Sequence, residues 1–480
     1  MNQKETIRGT LRRHRVEVLL VAVCWVTFAC VLHGRPGYNV NSRIAVTFAV
    51  VDHGTVAIDA YHDQPLTGTL DKAAFGGHVY SDKSPALSFL AVPFYALVSP
   101  FLEGADAVTR IAAARQWCTA WTVGLLGALA AALFHRLMRL FGARGRDALM
   151  LTLLLFFGTN LGGYTSLFYA YLPAAACVLA AYVLALSARR QGAVTPVRAV
   201  GIGLLVSTAG FLEFTFGLAS AVLLLLFSAT LRPARSAAGM VAGALPPRAA
   251  QLAYNHALFG DLSLGYAHEV QSQFREGMAR GVMGVGAPSA AALYYATIHP
   301  FKGLFFYSPF LLFFFVGYRR AWREHAAWRP DLVAAGVLLV GYLLFNSSYY
   351  MWWGGWAMGA RHQIGMLPFL FLPILSALAS GSPWRPAVIV AGVVAVSLHL
   401  PVLLADPQIP PGAPIAALLE PTFAANWSSP WLTRSLPAFF RGDIAAILPF
   451  QSLPGLTALL PLAMLWTLSL RTMWLWEDAD

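Results

Sequence analysis

The chain has 480 residues, of which 58% are hydrophobic and only 11% are charged, and its mean hydropathy is +0.61. This composition is too apolar for a water-soluble protein of this length and indicates a polytopic membrane protein. The formal net charge of +11 does not indicate a nucleic-acid partner, because the basic residues cluster in alternate loops and form no single basic face.

Apolar segments recur along the whole chain, each close to the length of about 17 to 25 residues that a membrane-spanning helix needs. In chain order these segments are 17–33, 86–102, 116–136, 147–160, 167–187, 198–212, 214–231, 236–253, 301–318, 331–346, 363–380, 386–404 and 454–471. With both termini on one side the number of crossings must be even, so we expect 86–102, which contains Pro93 and Pro100, to be short, broken or re-entrant. We therefore predict an all-α polytopic integral membrane protein with about twelve transmembrane helices.

The charges of the loops predict an orientation. The N-terminal segment and every second loop carry 20 of the 33 Lys and Arg residues but only 8 of the 22 acids. This asymmetry follows the positive-inside rule. We therefore expect a multi-pass inner-membrane protein with both termini in the cytoplasm and four chemically rich loops outside: 34–85, 254–300, 346–362 and 405–453.

The four cysteines and the motif inventory argue against a metal or a cofactor. All four cysteines lie inside apolar segments, where they act as small hydrophobic residues. The sequence contains no glycine-rich phosphate loop, no HExxH, no CxxC pair and no nucleophile elbow. We therefore expect no metal and no cofactor.

The outward loop 34–85 is the richest in chemistry. Its stretch "SRIAVTFAVVDHG" has apolar residues at helical spacing and ends at Gly54, which predicts a short amphipathic juxtamembrane helix on the membrane surface. Asp52, Asp59, Asp82 and Lys83 stand on or near this helix. Two interpretations remain open: the helix forms the floor of an interfacial site, or the loop is solvated and carries ordinary acids.

Three further features leave similar alternatives. The loop 346–362, "NSSYYMWWGGWAMGARH", is either an interfacial aromatic belt or a ligand site, and a belt does not require Gly354, Gly355 or Arg361. Glu213 lies where two short spans meet on the outside. It is either a functional group or a residue that holds the helices together by hydrogen bonds. Lys302 is interpreted as an anchor that extends toward the membrane surface.

Four segments together resemble the GT-C superfamily of lipid-phosphosugar-dependent glycosyltransferases, especially its protein mannosyltransferase and aminoarabinose transferase branch. "NVNSRIA" (39–45) resembles the family's acidic "DE-x-RYA" motif, and "HGTVAIDAY" (53–61) resembles its "G-D-W" turn. "VYSDKSPAL" (79–87) resembles "Y-F-x-K-P-P-L", and "WWGGWAMGARHQIGMLPFL" (352–370) resembles a glycine- and arginine-containing segment of bacterial members.

The resemblance implies roles for particular residues. Lys83 matches the lysine that contacts the donor phosphate, and Arg361 supplies a second cation. The family's catalytic acidic pair falls on Val40 and Asn41, so the general base is expected to be Asp59 or, next, Asp52, with Asp82 a further alternative. The resemblance further implies a substrate-binding set of Arg43, Asn41, Asp82, His78, Gly354, Gly355 and Glu213.

The resemblance also implies a GT-C-like fold and an activity. The chain is expected to be an inverting glycosyltransferase of the bacterial inner membrane that moves a sugar from a polyprenyl-phosphate donor to an envelope glycan, lipid or protein. The alternative is a non-catalytic binder or carrier of lipid-linked glycans. We expect residues 1–400 to form the GT-C-like transmembrane module, and 401–480 to hold the outside loop 405–453 and the final transmembrane helix. The bilayer is the expected environment, and no nucleic acid is expected.

Overall fold

The computed structural model describes residues 14–33, 36–425, 427–448 and 455–478, and this part of the chain is α-helical apart from two short antiparallel strand pairs. The first helices are α1 (Arg15–Cys30), α2 (Tyr38–His53), α3 (Ala86–Val98), α4 (Ala107–Leu140), α5 (Gly145–Phe157), α6 (Tyr171–Gln191), α7 (Pro196–Leu212), α8 (Gly217–Thr230) and α9 (Ser236–Phe259). They are followed by α10 (Ser272–Ala279), α11 (Ala290–Thr297), α12 (Leu304–Tyr307), α13 (Phe313–Glu324), α14 (Arg329–Ser348), α15 (Leu367–Leu378), α16 (Arg385–Leu404), α17 (Ile415–Leu419), α18 (Leu436–Arg441) and α19 (Leu460–Asp478). The strands are β1 (Val31–Leu32), β2 (Lys72–Phe75), β3 (His78–Ser81) and β4 (Ala446–Ile447).

Within the described residues, six helical stretches are long and apolar enough to cross a membrane. They are Ala107–Leu140, Tyr171–Gln191, Ala326–Ser348, Arg361–Leu378, Arg385–Leu404 and Leu456–Glu477. Three shorter apolar helices are Ala86–Leu102, Pro196–Leu212 and Phe214–Thr230. The all-α prediction is confirmed, and a membrane location fits these helices. The predicted count of about twelve crossings exceeds the six long spans.

Prolines explain part of the difference in count. The predicted span 301–318 is wrong as a single helix: α12 ends at Tyr307, Pro309 begins a short 3₁₀ turn, and α13 starts only at Phe313. The predicted shortness of 86–102 is confirmed, because α3 has 13 residues and contains Pro93, and it passes into a 3₁₀ turn. A periodic apolar sequence therefore does not always make one continuous helix.

A helix, α2, is present where the juxtamembrane helix is predicted, and Gly54 ends it in the left-handed conformation at φ +64°. Its surroundings differ from the prediction. Asn41, Ser42 and Arg43 are buried along with their apolar neighbours. Helix α2 is therefore an internal element, and the interpretation of this stretch as a solvated loop is wrong.

Helix α2 is buried because polar contacts join it to its neighbours on two sides. Thr47 Oγ1 donates to the carbonyl of Ser88 at 3.0 Å, and Ser88 Oγ donates to the carbonyl of Arg43 at 2.7 Å, which joins α2 to α3. Ser42 Oγ and Ser81 Oγ lie 2.7 Å apart and join α2 to the β2–β3 hairpin. Buried polar groups need such partners, so these contacts fix the position of the loop 34–85.

The C-terminal region contacts the N-terminal helix. Val31 of β1 pairs with Ile447 of β4. Trp466 Nε1 donates to Thr27 Oγ1 at 2.9 Å, which joins α19 to α1. The predicted division into 1–400 and 401–480 stays a prediction.

Candidate functional site

A cavity of about 260 Å³, here called the central cavity, lies where α2, the break between α7 and α8, and the segments 264–285 and 345–362 meet. Its lining includes the polar or aromatic residues Arg43, Glu213, Arg361, His362, Tyr171 and Tyr266. It also includes the apolar residues Met278, Val282, Met283 and Phe345. Such an amphipathic cavity suits a ligand with a charged head and an apolar tail.

Arg43 and Glu213 form a buried ion pair in the lining of this cavity. Arg43 Nη2 donates to Glu213 Oε2 at 3.0 Å, and the two side chains are 3% and 9% exposed. Arg43 Nε also donates to Asn39 Oδ1 at 3.0 Å, one turn earlier on α2. These bonds offset part of the cost of removing both charges from water. Glu213 stands in extended conformation at the end of α7, so the pair joins α2 to the α7–α8 break.

The Gly354–Gly355 turn brings Arg361 to the cavity. Both glycines adopt left-handed conformations, at φ +74° and +70°, and a Cβ on Gly354 would lie 2.9 Å from Arg361 Cγ. Arg361 Nη1 donates to Tyr169 Oη at 3.2 Å, and its guanidinium carbon stands 5.7 Å from the centre of that ring. Arg361 Nε is buried and has no hydrogen-bond partner among the described residues. The guanidinium is therefore available to an anion.

The aromatic-belt interpretation of 346–362 is wrong for its two adjacent tryptophans. Trp352 and Trp353 are each 2% exposed, and both pack into a cluster with Tyr295 and Phe301. Trp352 Nε1 donates to the carbonyl of Leu418 at 2.7 Å. The loop is thus an internal support for the glycine turn.

Lys83 lies beside the central cavity within a group of acids. Its Nζ is 2.5 Å from Asp82 Oδ2 and 3.1 Å from Asp71 Oδ2. It also stands 4.8 Å from the centre of the Tyr266 ring, which lines the cavity. The Tyr266 ring therefore lies between Lys83 and the cavity, and the carboxylates of Asp71 and Asp82 contact the ammonium group of Lys83.

Burial changes the protonation of this group. Burial, followed by the charge of Asp82, raises the pKa of Glu269 to about 10. Burial also raises the pKa of Asp82. Burial alone would lower the pKa of Lys83, but Asp71 and Asp82 raise it well above its usual value. Because Lys83 is ion-paired with Asp82 and not with Glu269, we place the proton on Glu269 at neutral pH.

The other predicted residues of the first loop lie outside the central cavity. Asp59 accepts from the Val79 N–H at 2.8 Å and pairs with His78 Nδ1 at 2.7 Å, and its side chain is 46% exposed. Asp52 accepts from Tyr61 Oη at 2.6 Å and from Tyr95 Oη at 3.0 Å. Asn41 Nδ2 donates to the carbonyl of Gly68 at 2.9 Å. None of these four residues is among the described residues that line the central cavity.

Lys302 has a role that the sequence did not reveal. The anchor interpretation is wrong, because Lys302 is 0% exposed and donates to the carbonyls of Gly355 and Ala357. Burial, together with the charge of Arg361, lowers the pKa of Lys302 to about 7. Lys302 thus holds the carbonyl side of the turn that presents Arg361.

Tyr266 and Glu269 were also missed. Both lie in a loop that meets the Lys83 region through tertiary contacts, including a bridge between Ala73 and Glu269, so no local pattern identified them. The available signal was the presence of "YAHE" in a loop that is predicted to lie outside. The structure thus brings together Arg43, Glu213 and Arg361, with Lys83 beyond the Tyr266 ring.

No family model and no curated protein matches the sequence.

Proposed function

We propose that this chain is an inverting glycosyltransferase that moves a sugar from a polyprenyl-phosphate donor to an envelope acceptor at the outer face of the inner membrane. One observation carries the proposal: the central cavity is lined by the guanidinium groups of Arg43 and Arg361 together with apolar side chains. The proposal includes a GT-C-like architecture of about twelve crossings, in which the shorter apolar helices also contribute spans, and cytoplasmic termini.

Arg361 is the residue best placed to receive the donor phosphate. Arg43 is already paired with Glu213, whereas Arg361 has only a phenol as its described polar partner in the site. A guanidinium binds phosphate with two parallel N–H donors. Met278, Met283 and Phe345 offer apolar surface for the isoprenoid tail.

The reaction transfers the sugar in one displacement. The acceptor hydroxyl oxygen bonds to the sugar C1 while the bond from C1 to the phosphate oxygen breaks, and polyprenyl phosphate leaves with the bonding electrons. Arg361 and Arg43 stabilise the negative charge of that leaving group. The acceptor proton passes to a carboxylate, and we assign this role to Glu213 because it lines the cavity. Asp59 and Asp52 stay predicted bases, which require movement of the first loop.

A second candidate function is a non-catalytic binder or carrier of lipid-linked glycans. The ion pair between Glu213 and Arg43 favours this alternative, because Arg43 already occupies a carboxylate oxygen that an acceptor hydroxyl would have to approach. Glu213→Gln separates the two functions. A transferase loses turnover in this variant and keeps donor binding, whereas a binder has no turnover to lose.

The experiment measures binding of undecaprenyl phosphate to the purified protein in nanodiscs, and release of undecaprenyl phosphate from sugar-loaded donors. Arg361→Ala should weaken binding at least about tenfold, because a charge-assisted hydrogen bond to phosphate contributes about 1.5–3 kcal/mol. Arg434→Ala is the matched control, since Arg434 is exposed and is not among the residues that line the central cavity. Equal affinity of both variants would exclude the phosphate role of Arg361.

A further inference from the structure

A second cavity, of about 160 Å³ and here called the side cavity, lies next to the central cavity. The residues that matter for its chemistry are Arg280, Ser289, Ser348, Tyr349, Tyr350 and Trp352. Tyr349 lines both cavities. The segment 278–286 also contributes to both, with Met278, Val282, Met283 and Val285 in the central cavity and Arg280, Gly284 and Gly286 in the side cavity. The two spaces are therefore separated by one tyrosine and one chain segment.

The shared segment is a tight turn held in place by backbone bonds. The Val282 and Val285 backbones bond to each other at 3.1 Å in both directions, and Tyr350 N–H donates to the carbonyl of Gly284 at 2.9 Å. Gly281, Met283 and Gly284 are left-handed, and Met283 is the non-glycine residue with positive φ, at 53°, in the described chain. Such a conformation is uncommon for a bulky residue and is typical of ligand-binding segments.

The lining of the side cavity indicates the class of ligand. Arg280 is exposed, its side chain forms no ion pair or hydrogen bond among the described residues, and no carboxylate is among the described residues that line the cavity. An arginine without a countercharge favours an anion. The hydroxyls of Ser289, Ser348 and Tyr350 and the ring of Trp352 are groups that contact polyols and sugar rings.

We propose that the side cavity binds an anionic, hydroxyl-bearing sugar and is the acceptor subsite, an assignment that rests on the proposed function. The acceptor hydroxyl reaches the donor past Tyr349, at the boundary of the two cavities. Its oxygen forms the new bond to the sugar C1, the bond between C1 and the phosphate oxygen breaks, and its proton passes to Glu213. The acceptor anion stays on Arg280, which keeps it apart from the donor phosphate on Arg361.

Binding of glucose 6-phosphate to the full-length protein in nanodiscs tests this assignment by titration calorimetry. Arg280→Glu should weaken binding at least about tenfold, because the charge contact becomes repulsive. Ala287→Trp should have a similar effect, because Ala287 is an exposed lining residue and a bulky ring there fills the cavity without entering the core. Arg434→Glu is the matched charge control and should bind like the wild type.

Further binding measurements identify the source of the anionic sugar and the part of the sugar that the side cavity recognises. Glucose and inorganic phosphate, each alone, should bind more weakly than glucose 6-phosphate if both features are recognised. If nanodiscs of phosphatidylglycerol displace glucose 6-phosphate and nanodiscs of phosphatidylcholine do not, the occupant of the side cavity is a lipid headgroup. Lack of displacement identifies a sugar phosphate free of the bilayer.

Two outcomes separate this inference from the proposed function. If undecaprenyl phosphate binds but Arg280→Glu and Ala287→Trp retain wild-type affinity for glucose 6-phosphate, the side cavity is not the acceptor subsite and the proposed function survives. If undecaprenyl phosphate does not bind the wild type, the proposed function fails and the acceptor assignment is overturned with it. Correct membrane insertion of both variants is verified by wild-type affinity for undecaprenyl phosphate.

Discussion

Two partly buried arginines of this protein have different counter-ions. Arg189, on α6, donates to both carboxylate oxygens of Asp331 at 3.0 and 2.6 Å, and Tyr182 Oη donates to the same carboxylate at 2.5 Å. Arg361, at the central cavity, has the phenol of Tyr169 as its described hydrogen-bond partner, and its Nε has none. Arg189 Nε also lacks a partner, so the two arginines differ in their counter-ion. A cation paired with a carboxylate is called saturated here, and in this sense Arg189 is saturated and Arg361 is not.

The difference distinguishes a structural cation from one that is available to a ligand. A bidentate arginine–carboxylate pair compensates the charges of both partners, so it has no capacity left for a ligand. A buried guanidinium without a carboxylate carries an unpaid desolvation cost, which a bound anion can offset. Lys83 is intermediate, because two acids contact it and one ring separates it from the central cavity.

The largest expected effect comes from breaking the saturated pair. Asp331→Ala leaves Arg189 buried without its counter-ion and should lower the free energy of unfolding by about 3–5 kcal/mol. Asp443→Ala is the control, because Asp443 pairs with Arg441 at the surface and is 62% exposed. Denaturant unfolding in detergent measures both. Equal stability of the two variants would show that the Arg189–Asp331 pair is not a structural element.

The proton on Glu269 provides the second test. A glutamate whose pKa is raised to about 10 binds a proton more tightly in the folded than in the unfolded protein. Its stabilising contribution is complete below the ordinary glutamate range near pH 4.5 and is lost as pH rises toward about 10. Glu269→Gln should remove this loss, so its stability relative to the wild type should rise by about 2.7 kcal/mol between pH 6 and 8.

Comparison of the wild type with Glu269→Gln separates the titration of Glu269 from the titration of Lys302. Lys302 has a lowered pKa of about 7, so its contribution increases with pH above that value, which is the opposite sign. The Lys302 contribution is common to the wild type and Glu269→Gln and cancels in the comparison. A pH-independent difference between the two proteins would place the proton elsewhere in the Asp71–Asp82–Glu269 group.

The third test concerns the turn that presents Arg361. Gly354→Ala places a Cβ in a left-handed residue at φ +74°, within 2.9 Å of Arg361 Cγ. The expected cost is about 1–2 kcal/mol, together with weaker binding of undecaprenyl phosphate. Gly381→Ala is a matched control, since Gly381 has φ +80° and open space around its Cβ position. If Gly354→Ala binds the phosphate as tightly as Gly381→Ala, the turn does not position Arg361.

The sequence predicted the unsaturated cation better than the carboxylates. Arg361 could be identified because a glycine pair and an arginine follow each other in one outward loop, which is a local pattern. The end of α2 at Gly54 was equally local and is confirmed. Glu213 was named, but its pairing with Arg43 spans 170 positions and could not be deduced from spacing.

Two kinds of error arose from tertiary structure. The mean hydropathy of a segment does not show where a helix breaks, so it did not reveal that Pro309 interrupts 301–318. Composition also does not separate burial against protein from burial in lipid, so Lys302 was interpreted as a surface anchor although neighbouring carbonyls hold it inside. Glu269 depends on a bridge to Ala73, a contact without any local sequence signal.

The smallest effect on stability is expected for Arg361→Ala, and it tests the comparison most directly. The variant loses one hydrogen bond to a phenol and also removes a desolvated charge that lacks a carboxylate. These two changes oppose each other, so the free energy of unfolding should change by less than about 1 kcal/mol, or rise. Denaturant unfolding alongside Asp331→Ala provides the measurement. A loss as large as that of Asp331→Ala would show that Arg361 is structural, because a cation reserved for a ligand is dispensable for folding.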